Sequence, residues 1–128
     1  MFKTVVMKYL LLIAFMAFAT LSFAQDTPVK FQELKHSFGK IKKDVPVTTE
    51  FKFTNTSGKP LIIEVATAEC GCTTPEYPKT PVMAGKESTI KVTYNAANEG
   101  HFEKKVTVKF AKYAQPVILE ISGDVQGS

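Results

Sequence analysis

Residues 45–55 read "VPVTTEFKFTN". Val45, Val47, Thr49, Phe51 and Phe53 alternate with Thr48, Glu50 and Lys52. Successive side chains of a strand point to opposite faces, so this stretch predicts a half-buried antiparallel strand, apolar inside and polar outside. No helical stripe fits it. The next residues, "NTSGKP" (55–60), are those that turns use.

The same alternation recurs outward from this segment. "LIIEVATA" (61–68) puts Leu61, Ile63 and Val65 on one face. "ESTIKVTYN" (87–95) aligns Ile90, Val92 and Tyr94. "HFEKKVTVKFA" (101–111) aligns Phe102, Val106, Val108 and Phe110, and "PVILEISGDV" (116–125) aligns Val117, Leu119 and Ile121. Upstream, "KFQELKHSFGKI" (30–41) is a weaker strand carrying Phe31, Phe38 and Ile41, broken near Gly39. Six or seven strands separated by turns, with no room for helical crossovers, predict an all-β fold: an immunoglobulin-like antiparallel β-sandwich of about seven strands.

The first 24 residues differ from all of this. Lys3 and Lys8 precede an apolar run from Tyr9 to Leu21, and Ser22-Phe23-Ala24 offers small residues at the positions a signal peptidase reads. This predicts a signal peptide cleaved after Ala24. The run is shorter than the roughly 20 residues that span a bilayer, and no cysteine follows it to take a lipid. The expected division is a signal peptide (1–24), a flexible leader (25–30), one sandwich domain (31–125) and a short tail (126–128). The expected location is periplasmic or secreted, with no membrane span after cleavage.

Cleavage leaves 104 residues, with 14 of the 16 lysines and all 12 acidic residues, a net charge of +2. The chain has no arginine, the preferred reader of phosphates and base edges. Its lysines are dispersed, so nucleic acid is not an expected partner.

The remaining unusual stretch is "TAECGCTTPEYP" (67–78), which holds the only two cysteines, Cys70 and Cys72, around Gly71. Pro75, Pro78 and Pro81 exclude a central strand here. Four readings fit the pair. Export favours a disulfide, provided Gly71 lets the chain turn tightly enough. Two thiolates also suit a soft metal such as copper(I). In a sandwich of this order the pair, His101 at the start of its strand and His36 share one pole, giving a possible set Cys70, Cys72, His101, His36. A redox dithiol is disfavoured by the single intervening residue and the lack of a helix N-terminus. Two buried free cysteines are the fourth reading.

The order "HSFGKI", "FKFTNTSGKPLII", "AECGCTTPEYPKTPVMAGKESTIKVTYN", "GHFEKKVTV" and "ISGDV" resembles the bacterial domain of unknown function 1573 family. That family is similar in fold to the immunoglobulin-like domains of the ASPM, SPD-2 and Hydin group. The resemblance covers nearly all of 31–125, and its most specific element is Cys70-Gly71-Cys72-Thr73 followed by "PEYP". Ala84 stands where a proline is common. The resemblance implies the fold and an exported location, and no established activity.

No serine–histidine–acid set, phosphate loop or paired acids stand out; Glu69 and Glu76 flank the cysteines without a catalytic pattern. The chain is therefore expected not to be an enzyme. The expected function is an exported module that binds a protein or envelope component and needs no cofactor, the weak first strand offering an edge to a partner strand. The alternative is a periplasmic copper-binding protein.

Overall fold

The structure, a computed structural model, describes residues 2–16 and 27–127. Helix α1 spans Phe2–Met16. The proposed cleavage site at Ser22–Ala24 lies outside the described residues. Among the described residues no helix is long and apolar enough to cross a membrane.

Eight strands follow: β1 (Val29–Phe31), β2 (Lys35–Lys42), β3 (Val47–Asn55), β4 (Ile63–Ala68), β5 (Thr73–Glu76), β6 (Glu87–Tyr94), β7 (Gly100–Phe110) and β8 (Val117–Gln126). They form two four-stranded sheets, ordered β1-β3-β6-β5 and β2-β8-β7-β4. The alternation that predicted the strands also builds the core. Phe51, Phe53, Ile90 and Val92 from the first sheet meet Val106, Val108, Phe110, Leu119 and Ile121 from the second, all fully buried. Each such side chain contributes about 1.5–3 kcal/mol on burial. Phe53 joins the layers: its ring lies 5.3 Å from Phe31 and 6.1 Å from Phe110.

Several expectations are corrected. The first predicted strand is two strands in different sheets. Gln32 N still donates to Lys52 O beside β3, whereas Glu120 N donates to Leu34 O beside β8, so the chain changes sheets between them. β2 then runs parallel to β8, and the sandwich is not purely antiparallel. Its register shifts between Ser37 and Lys40, where Gly39 takes a φ of 68°. Val29 is buried in β1, so Val29 and Lys30 belong to the domain and not to a leader, and β8 continues to Gln126. β3 and β4 are not a paired hairpin; they lie in opposite sheets. Val45, expected on the core face, is 51% exposed. Pro46 has no N–H to give a ladder, and Val45 N closes a turn onto Lys42 O, so pairing with β6 begins only at Val47.

Candidate functional site

The cysteine stretch is the connection that carries the chain from β4, at the edge of one sheet, to β5, at the edge of the other. Its entry is pinned to β7 twice: Glu69 N donates to Lys105 O, and Lys105 N donates to Glu69 Oε1 at 3.1 Å. Thr73 N donates to Cys70 O, making Cys70–Thr73 a tight turn. Its exit is fixed by Asn95 N donating to Cys72 O at 2.9 Å and by Thr73 pairing with Tyr94. Beneath the turn, Tyr94 stacks on Phe102, with centroids 3.9 Å apart. Phe102 in turn faces Gly123, where an added Cβ would come within 2.9 Å of its ring and of Gly39 O. Only a glycine leaves room for that aromatic pair.

Cys70 and Cys72 form a disulfide with Cα atoms 5.3 Å apart. That separation lies within the usual range for bonded cysteines. Cys72 packs on the core, while Gly71 is exposed. The hydroxyl of Thr73, a residue only 4% exposed, lies 3.7 Å from both sulfurs. The expected need for glycine at 71 is not met by its geometry. Gly71 has no positive φ, and a Cβ there would meet nothing within 4 Å.

The two histidines stand elsewhere. His36 Nδ1 is 3.1 Å from Glu33 Oε1, and its ring meets the edge of Phe38. In register His36 opposes Ile121, which opposes Lys104 on β7. Three strand spacings, about 14 Å, therefore separate it from β4. His101 shares the pole of the cysteines, as expected, but β7 overhangs β4 there. Ala68 pairs with Val106, and the rise from Val106 to His101 is about 17 Å. His101 Nδ1 lies 3.0 Å from Asp124 Oδ1, and Nε2 lies 3.7 Å from Glu103 Oε1. The Asp124 hydrogen bond raises the His101 pKa above 6.5, opposed by desolvation and assisted by the charge of Asp124 and by Glu103. The set Cys70, Cys72, His101, His36 is thus not gathered. Among the described residues no group of three or more His, Cys, Asp or Glu is placed to hold a metal ion.

Sequence reasoning passed over Glu69 as a positioning residue and missed Asn95 and Tyr94. The pairing of β5 with β6 that brings Tyr94 and Asn95 beside the turn has no local signal.

Two stacked four-stranded sheets make an immunoglobulin-like fold, similar to that of ASH / PapD-like and MSP-family domains among solved structures. The chain belongs to the family described as protein of unknown function (DUF1573), whose model matches residues 29–125. No curated protein matches the sequence. Among solved structures it is similar to a protein of unknown function from Porphyromonas gingivalis W83. The TM-score is 0.65 at 10% identity, over 80% of this chain and 51% of that one. It is similar to the secreted serine protease VesC from Vibrio cholerae, with a TM-score of 0.61 and 14% identity, over 79% of this chain and 24% of the other. It also resembles the ASH / PapD-like domain 7 of human CEP192, with a TM-score of 0.64 and 8% identity, over 80% and 87% of the two chains. The chain thus spans about half of the first of these proteins and a quarter of the second. At such identities the likeness shows the fold alone.

Proposed function

We propose that this protein is an exported, non-catalytic immunoglobulin-like module that binds an extended segment of a partner polypeptide at the cell envelope, along the open edge of β4. Export rests on the sequence of residues 1–24. The binding reading rests on a contrast among the four edge strands.

Unprotected edges are templates for another strand, and proteins blunt them with charge, proline, bulges or shortness. β1 has three residues. β5 has four and contains Pro75. β2 carries Lys35, Lys40 and Lys42 and breaks register at Gly39. β4 has Glu64 and a register shift between Ile63 and Val65 at its start only; Val65-Ala66-Thr67-Ala68 after it is regular and has no charge, proline or glycine. Its pairing with β7 fixes which groups face outward. Glu69 N bonds Lys105 O, so by the alternation of an antiparallel ladder Val65 and Thr67 also bond inward, leaving the peptide groups of Ala66 and Ala68 for a partner. This moves the expected docking edge from the first strand to β4.

The test is capture from envelope extracts with the exported protein, comparing wild type with Ala66→Pro. The proline removes an outward N–H that the fold itself does not use. The expected result is a bound polypeptide that the variant, with unchanged circular dichroism, no longer retains. Equal capture by both would overturn the reading, as would recovery of the protein only from the cytoplasmic fraction.

A further inference from the structure

A disulfide around one residue is an odd fastener. It closes so short a loop that it removes little freedom from the unfolded chain. The turn it spans is already held by Thr73 N on Cys70 O, Asn95 N on Cys72 O and the paired bonds between Glu69 and Lys105. The bond is therefore spare as structure, and opening it leaves the scaffold in place.

We infer that Cys70–Cys72 is a thiol–disulfide exchange site that accepts two electrons from a dithiol in an extended polypeptide. This goes beyond the binding reading and stands without it. Three observations carry it. Gly71 is exposed, Cys70 is only partly buried, and a Cβ added at Gly71 would meet nothing within 4 Å outside its two neighbours, so the turn that carries the bond faces solvent. A shallow groove of about 370 Å³, lined by Thr67, Ala68, Glu69, Lys105, Thr107 and Ile118, ends at the residue before Cys70 and gives an extended chain a path to it. The Thr73 hydroxyl, fixed by burial, reaches both sulfurs at 3.7 Å and can donate to whichever leaves. A low-pKa leaving thiol departs faster, and a hydrogen bond to the thiolate lowers that pKa.

A substrate thiolate attacks Cys70 Sγ, the sulfur that is not packed on the core. A new sulfur–sulfur bond forms, the Cys70–Cys72 bond breaks, and its electron pair goes to Cys72 Sγ beside the Thr73 hydroxyl. The second substrate thiolate then attacks the substrate sulfur of this mixed disulfide and expels the Cys70 thiolate. The substrate leaves oxidised by two electrons. Cys70 and Cys72 end as thiols, holding the two protons of the substrate thiols. The exchange is stoichiometric, and the disulfide is its own oxidant. The single residue between the cysteines differs from the usual redox spacing and no helix N-terminus among the described residues lies beside them; the Thr73 hydroxyl supplies the hydrogen bond that a helix N-terminus would.

The experiment uses the oxidised protein and a short unstructured peptide with two reduced cysteines, stopped with acid and read by mass. The expected result is an oxidised peptide and a protein heavier by two hydrogens, with unchanged circular dichroism. Thr73→Val should slow exchange about five- to tenfold, the rate equivalent of one hydrogen bond. Thr73→Ser should restore it. Cys72→Ser should trap a peptide on Cys70 when the peptide is supplied as a mixed disulfide. A bond that stays closed in excess peptide and opens only in denaturant would overturn the inference. Equal rates for wild type and folded Thr73→Val would overturn the role of Thr73. Exchange with the short peptide is read on the wild-type protein with no envelope partner present, and capture is read with the disulfide intact, so failure of the β4 edge and failure of this site are separately visible.

Discussion

Of the connections that cross between the sheets, the two that enter and leave β4 lie at opposite poles and are built differently. The first, from β3 to β4, is organised by Asn55, a polar residue 1% exposed. Its Nδ2 donates to Lys59 O at 2.6 Å and Val82 O at 2.8 Å. Its Oδ1 accepts from Ser57 N and from Ser57 Oγ. Its backbone adds bonds with Lys86 O and Gly85 N. The second connection, from β4 to β5, has a covalent bond beside backbone hydrogen bonds and the Glu69 side chain, with no buried polar side chain that gathers its bonds as Asn55 does. In the first crossing Asn55 is buried and fully bonded beneath the exposed residues 56 and 58–60, while in the second the disulfide is partly buried beside an exposed Gly71. Because backbone bonds already hold the covalent turn, buried polar bonds at the first crossing are expected to contribute more stability than the disulfide does at the second.

The largest effect should come from the packing under the covalent crossing. Phe102→Ala removes a ring that is 5% exposed and stacked on Tyr94. The expected loss is about 3–5 kcal/mol in urea unfolding. A loss below that of the cysteine variant would break the comparison, because the bond and not the aromatic pair would then hold this pole. Asn55→Ala should follow at about 3 kcal/mol, since it removes the side-chain bonds to Lys59 O, Val82 O, Ser57 N and Ser57 Oγ from a buried position. The check is the same unfolding curve with unchanged slope.

The difference between the crossings also marks what the sequence could tell. The core faces of β3, β6, β7 and β8 were legible because alternation depends only on neighbours: Phe51, Phe53, Ile90 and Leu119 are buried where the period places them. Sheet membership was not legible. "NTSGKP" reads equally as a hairpin turn or as a sheet-to-sheet crossing, and the deciding contact, Asn55 on Val82, spans distant residues. The parallel pairing of β2 was hidden for the same reason. At the candidate site the cysteines announced themselves, whereas the separation of His36 and His101 from them depends on register across β8 and β7. Topology placed His101 at the right pole and missed the overhang that carries it away.

A smaller effect is expected of the bond itself. Replacing both Cys70 and Cys72 by serine should cost about 1.5 kcal/mol or less, as chain entropy gives for so short a loop. Thermal unfolding of oxidised, reduced and double-variant protein tests this. A loss exceeding that of Asn55→Ala would reverse the comparison and make the disulfide a structural clamp.

The smallest effect concerns the charge at the end of β7 and asks whether the covalent pole acts as one unit. His101 and Asp124 are both exposed, so their pairing is screened by solvent. The His101 pKa is raised in the folded chain, chiefly by the Asp124 hydrogen bond. A raised pKa means the folded state binds the proton more tightly. The stabilisation is therefore full below the unfolded value near 6.5 and fades as pH rises through the folded pKa. Histidine NMR titration should place His101 above 6.5, and Asp124→Asn should bring it down. Because the overhang of β7 separates this pair from the cysteines, His101→Ala should leave the pH profile of disulfide exchange unchanged. A profile that moved with His101 would show the two ends of the pole to be coupled, and the crossing could no longer be treated as a local device.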